Sequence, residues 1–194
     1  MKIRSALGVL ALCALFAANA NAEMLFTGTL SGANENPANG SPATGSVSLL
    51  FNDDLSQMTL SIDWSGITGG LPSAAHIHCC TPQGTNIGVA VGFPNFPAAT
   101  SGSYLNTFDL LNPAIYTAGF LTNFGGGTAQ GARDALISGL LNGQAYANIH
   151  NTVFPGGEVR ANLTPSPVPL PAAAWLLVSG VGLLGGARRR RAAI

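Results

Sequence analysis

Apolar and polar residues alternate with period two in two neighbouring stretches of the chain. In Gln57 to Trp64, Met58, Leu60, Ile62 and Trp64 fall on one face and Thr59, Ser61 and Asp63 on the other. Val47, Leu49 and Phe51 align in the same way within Thr44 to Phe51. Successive side chains of a strand point to opposite faces, so both stretches are expected to be half-buried strands. Asn52 to Ser56 supplies turn chemistry between them and predicts a hairpin. Met24 to Leu30, Ala74 to Cys79, Gly88 to Val91, Ala145 to His150 and Glu158 to Leu163 read as further short strands. Period changes in GARDALISGLLNGQ (131–144), where Leu136, Ile137, Leu140 and Leu141 form a helical stripe stopped by Asn142-Gly143. Asn112 to Leu121 is expected to form a second, shorter helix, and Phe93 to Ser103 a surface loop. The pattern predicts a mainly β chain: an antiparallel Greek-key or immunoglobulin-like sandwich with one or two short helices.

The two ends read differently from the middle. Lys2 and Arg4 precede an apolar run from Ala6 to Ala18, and small residues follow at AxA spacing. This predicts a secretory signal peptide over residues 1–22. Residues 165–194 begin with a Pro-rich spacer, continue through an uncharged apolar segment from Ala172 to Ala187, and close on Arg188, Arg189, Arg190 and Arg191. The segment is expected to be a C-terminal hydrophobic helix near the lower length limit for a membrane span, its arginines held on the cytoplasmic side. Val168, Pro169, Leu170, Pro171 and Ala172, followed by that segment and the arginines, resemble the PEP-CTERM sorting signal of Gram-negative bacteria in its VPLPA variant. Leu170 stands where the commonest form has glutamate. The resemblance implies an exosortase-type membrane protease as partner, transient lodging in the inner membrane, and delivery to the cell surface or exterior.

Charge changes meaning once the ends are set aside. The chain has eight basic and eight acidic residues. Between Glu23 and Thr164 all eight acidic residues remain, against Arg133 and Arg160 alone, so the domain of residues 23–164 is acidic by about six charges. A nucleic-acid partner is disfavoured, because phosphate binding needs an excess of Lys and Arg.

Candidate chemistry centres on AHIHCC (75–80). His76 and His78 are two apart and share one strand face, with Ile77 on the other. Likewise Ile149 lies opposite Tyr146, Asn148 and His150, and Val159 lies opposite Glu158 and Arg160. If Ile77, Ile149 and Val159 face the core, the three histidines are expected to point outward together with Glu158 and Arg160. His76, His78 and His150 then form a candidate site for Zn or Cu, with Glu158 as a carboxylate ligand or an orienting group. The alternative is that these histidines are polar surface residues bonded to loop backbone or to Glu158. An HxH strand with a later histidine is loosely similar to copper-zinc superoxide dismutase, but the zinc-ligand loop of that family is missing. Cys79 and Cys80 have no other cysteine partner in residues 23–164. They are expected to form a mutual disulfide, with pairing between two molecules or thiolate ligation of a metal as alternatives. No GxSxG, HExxH or Walker pattern occurs.

LSGANENP (30–37), GSPATGSVSLLF (40–51), SGITG (65–69), AAHIH (74–78) and LLNGQAYANIHNTVFPGGEVRANL (140–163) together resemble the CHRD domain. The resemblance runs from about Leu25 to Leu163. It implies a β-rich, immunoglobulin-like or related sandwich and no established enzymatic activity. The expected function is therefore non-enzymatic: adhesion or interaction with exopolysaccharide or other matrix components outside the cell. The alternative is a metal-dependent binding or redox protein built on His76, His78 and His150.

Overall fold

A computed structural model describes residues 23–168. Met24–Ser31 (β1), Thr44–Phe51 (β2) and Gln57–Ser65 (β3) form an antiparallel meander, with Met24 paired to Phe51 and Phe51 to Met58. The expected hairpin between β2 and β3 is present. Asn52 closes it by accepting from the Gln57 N–H through Oδ1 (2.9 Å), and the Asp54 carboxylate accepts from the Ser56 N–H (3.0 Å). The predicted apolar faces of these strands are fully buried: Leu49, Phe51, Met58, Leu60 and Ile62 are all 0 % exposed. Each such side chain contributes about 1.5–3 kcal/mol through removal from water.

Ala74–Cys79 (β4), Val89–Gly92 (β5), Gly102–Asp109 (β6), Ala145–His150 (β7), Val159–Asn162 (β8) and Thr164–Ser166 (β9) complete one antiparallel sheet. Its order is β5-β4-β7-β8-β1-β2-β3-β6, with β9 also paired to β1. The antiparallel, mainly β prediction holds. The arrangement is a single curled sheet, not two separate sheets face to face. A long, helix-bearing connection carries the chain from β6 to β7, and β4 and β7 lie side by side although 66 residues or more separate their partners in sequence, as in Ala74↔His150.

The strand β6 was not anticipated, because its alternation is weak: Leu105 points outward and is 73 % exposed. Tyr104, Asn106 and Phe108 lie on its other face. Phe93 and Phe96, in the segment after β5, reach across to Tyr104, with ring centroids 6.0 and 5.3 Å apart, and so draw the two ends of the sheet together. The Trp64 indole stacks on Phe96 (4.5 Å) and donates to the Ala99 carbonyl (2.8 Å).

Two helices cover part of the curl. The shorter helix breaks from its expected span into a 3-10 turn, Pro113–Ile115, and Ala118–Asn123 (α1), because extended Thr117 caps the second piece through its hydroxyl. Ala129–Leu141 (α2) is capped by Thr128 and stops at Asn142, as the sequence suggests. Leu136, Ile137 and Leu140 are buried, but Leu141 is exposed, so the apolar stripe is narrower than predicted. Among the described residues no helix is long and apolar enough to cross a membrane. The expected signal peptide and C-terminal hydrophobic helix, with Pro169 to Ala172 and Arg188 to Arg191, lie outside the described residues.

Candidate metal centre

The core fixes the orientation of β4, β7 and β8. Ile77, Ile149 and Val159 are each 0 % exposed and anchor one face of this sheet segment. The opposite face carries the histidines, as parity requires. His76 pairs with Asn148, His78 with Tyr146, and Asn148 with Arg160 across the strands. His150 pairs with Ala74 and is diagonal to His76.

This second face does not look out to solvent, contrary to expectation: Asn148, Glu158 and Arg160 are 1 %, 0 % and 1 % exposed. Loops roof it. Asn34 and Asn39 donate to the Arg160 and Glu158 carbonyls (both 3.1 Å). Arg160 in turn donates to Asn86 Oδ1 (3.1 Å) and the Thr85 carbonyl (3.0 Å), which ties down the segment after β4. Its guanidinium also lies over the Tyr146 ring, 3.3 Å from the centroid.

One ligand nitrogen from each of His76, His78 and His150 lies within 4.8 Å of the other two. Two of the rings have defined tautomers. His78 Nδ1 sits 2.7 Å from the Ile87 carbonyl and His150 Nδ1 sits 3.0 Å from the Pro155 carbonyl. A carbonyl only accepts, so both Nδ1 atoms carry the proton and both Nε2 atoms present a lone pair. These two Nε2 atoms are buried without a hydrogen-bond partner, and so is His76 Nδ1. Burial holds the pKa of His76 down to about 4, reinforced by neighbouring His150 and His78. Burial also lowers His78 and His150 against the opposing effect of their carbonyl partners. At neutral pH all three are neutral imidazoles, the form that ligates.

An orphaned buried polar atom costs about 1–3 kcal/mol, so three in one place call for a partner. Three neutral nitrogens suit Zn or Cu and leave a fourth position on the ion. Two further orphans, Glu35 Oε1 and Asn148 Oδ1, belong to the same roofed region. Burial raises Glu35 to about 7, against the opposing pull of Arg160 and Asn148.

Glu158 is not part of the histidine cluster. Its carboxylate accepts from the Ser41 hydroxyl (2.6 Å), the Thr68 N–H (2.8 Å) and hydroxyl (2.9 Å), the Gly69 N–H (3.1 Å) and the Asn151 amide. Burial alone would raise its pKa, but these donors outweigh it and hold the carboxyl below its usual value. Glu158 is thus the clasp that fastens two loops to the sheet. Cys79 and Cys80 are joined in a disulfide, with Cα atoms 3.1 Å apart. It packs against α2 at Gly139, where a Cβ would collide with both sulfurs. The sequence did not disclose Ile87, Pro155 or Glu35 as parts of this region, since backbone carbonyls and loop residues leave no periodic signal; parity does place Asn148 on the histidine face.

The CHRD domain family model matches residues 26–163. No curated protein and no solved structure matches the chain. The family match covers the curled sheet from Phe26 in β1 through β8, both helices and all three histidines, so the chain belongs to the CHRD domain family.

Proposed function

We propose that the protein is an exported, non-enzymatic interaction module that carries a transition-metal ion, zinc or copper, on His76, His78 and His150. One observation carries the metal: His76, His78 and His150 each offer a ligand nitrogen within 4.8 Å of the other two and each keep one buried nitrogen without a protein partner, two of the rings being oriented by backbone carbonyls. Elemental analysis of the purified protein after mild chelation tests it, together with thermal shifts on adding zinc or copper. The expected result is one ion per chain and a raised melting temperature. No bound metal and no shift with either ion would sink the proposal.

The interaction role is supported by the family, which is a small extracellular-type β domain, and by the acidic balance of residues 23–164, which argues against nucleic acid. The proposed route is export through the inner membrane of a Gram-negative cell, removal of the tail by an exosortase-type protease, and display at the surface or in the extracellular matrix, where exopolysaccharide is the proposed partner. The two sequence ends support it. Deleting residues 165–194 should abolish surface processing; unchanged processing would refute the route. A superoxide-dismutase-like activity is the second reading, favoured by the HxH strand joined to a later histidine on an antiparallel sheet. Superoxide dismutation by the copper-loaded protein, absent in His78→Ala, would establish it.

A further inference from the structure

Beside the metal centre a groove of about 870 Å³ opens where the two ends of the sheet meet. Phe93, Phe108 and Tyr116 floor it, half-buried Phe96 forms one wall, and Asn95, Asn106 and Asp109 stand around it. The tyrosine next to this wall and the tyrosine of its floor use their hydroxyls internally: Tyr104 donates to the Pro94 carbonyl (2.8 Å) and Tyr116 to the Leu110 carbonyl (3.0 Å). Both rings are thereby fixed. Among the described residues lining the groove there is no lysine or arginine, and Asp109 adds a negative charge. An anionic ligand is therefore disfavoured. Half-buried Phe96, over a base of buried Phe93, Phe108 and Tyr116 and beside amide and carboxylate groups, suits a molecule with apolar C–H faces and hydroxyl edges.

His76 belongs to both places. The residue lines the groove, while its Nδ1 is buried without a hydrogen-bond partner, as is one nitrogen of each of the other two histidines. Nε2 is not among the buried orphans and makes no hydrogen bond among the described residues, so it meets solvent. With a metal on Nδ1, a neutral imidazole must carry its proton on Nε2. A metal held on Nδ1 would therefore make the solvent-facing Nε2 a fixed N–H donor on a residue that lines the groove. The ring is free to take either tautomer without the ion.

We infer that this groove binds a neutral, hydroxyl-rich ligand, a glycan chain, and that His76 couples its occupancy to the metal. The coupling rests on the metal reading above; the groove does not. One fixed hydrogen bond should make the metal-loaded protein bind about 3- to 10-fold more tightly than the chelated protein. By linkage, the glycan should tighten metal binding by the same factor.

The test is calorimetry of the purified protein with neutral hexasaccharides of gluco-, manno- and galacto-configuration, with zinc loaded and with zinc removed. Phe96→Ala and Asn106→Ala should each weaken binding by tenfold or more while the protein stays folded by circular dichroism. His78→Ala removes the metal without touching the groove and should bind at the chelated level. Failure of all three sugars to bind, or binding indifferent to the Phe96 and Asn106 substitutions, overturns the groove. Binding that is equal with and without bound zinc overturns the coupling. A protein that takes up neither zinc nor copper yet binds sugar through Phe96 and Asn106 refutes the metal reading and the coupling, and leaves the groove standing.

Discussion

His78 and Tyr146 lie face to face across β4 and β7, their ring planes 3° apart and their centroids 4.6 Å apart. One loop residue holds both: the Ile87 carbonyl accepts from His78 Nδ1 (2.7 Å), and the Ile87 N–H donates to the Tyr146 hydroxyl (3.4 Å). Arg160 adds its guanidinium to the same tyrosine ring. The histidine is thus positioned by packing on one side and a backbone acceptor on the other.

Tyr146→Ala should remove the support of His78 and the seat of Arg160 together. The expected cost is about 3–5 kcal/mol in denaturant unfolding, with metal affinity weakened about 10- to 100-fold. Tyr146→Phe keeps the stack and loses only a long hydrogen bond. It should cost at most about 1 kcal/mol and leave the affinity nearly unchanged. Equal losses in the two variants would show that the hydroxyl, not the ring, positions His78.

Zinc at 100 times its dissociation constant should stabilise the protein by about 2.7 kcal/mol. For a domain of this size that is a rise of several degrees, since each kcal/mol shifts the melting temperature by about 3–6 °C. His150→Ala should abolish the rise measured by differential scanning calorimetry. A rise that survives in this variant would place the ion elsewhere.

Substitution of Glu158 separates clasp from ligand. Glu158→Ala leaves the donors of Ser41, Thr68, Gly69 and Asn151 without their acceptor and should cost about 3–5 kcal/mol. Metal content measured on the folded fraction should stay at the wild-type level. Loss of the ion from a folded Glu158→Ala protein would restore Glu158 as a ligand.

Glu35 gives an inverted pH dependence. Its folded pKa of about 7 lies above the ordinary 4.5, because burial disfavours the carboxylate more than Arg160 and Asn148 favour it. The fold therefore binds the proton better than the unfolded chain does. Its contribution is fully present below about pH 4.5 and is lost as pH rises through about 7, by on the order of 2–3 kcal/mol. Glu35→Gln should flatten this segment of the curve of unfolding free energy against pH. Parallel curves for the two proteins between pH 4.5 and 8 would show that Glu35 does not titrate there. Glu158 works in the opposite sense: with its pKa depressed, its stabilisation is present above its unfolded pKa and lost as pH falls through the lower folded value.

Gly139→Ala should disturb the seat of α2 on the Cys79–Cys80 disulfide, since a Cβ there meets both sulfurs. A loss of about 1–3 kcal/mol is expected from the overpacking. Intact mass after alkylation should show no added label on the unreduced protein and two labels after reduction. Two labels without reduction would mean that the cysteines are free.

Period two in Thr44 to Phe51 and Gln57 to Trp64 was sufficient to place the hairpin and its buried face, because alternation follows directly from strand geometry. Parity alone likewise put His76, His78 and His150 on one face, and the helical stripe located α2. Period says nothing about which strands are neighbours. The adjacency of β4 and β7, which brings His150 beside His76, came from the long connection between β6 and β7 and from the packing of Ile77, Ile149 and Val159 in a shared core. Nor could period show that the polar face would be roofed. Tertiary structure decided that, through Asn34, Asn39, Asn86 and Glu158, which fasten loops over it by hydrogen bonds to residues distant in sequence. Burial under that roof makes the three imidazoles neutral, backbone carbonyls of the loops orient two of them, and one nitrogen of each ring is left without a protein partner.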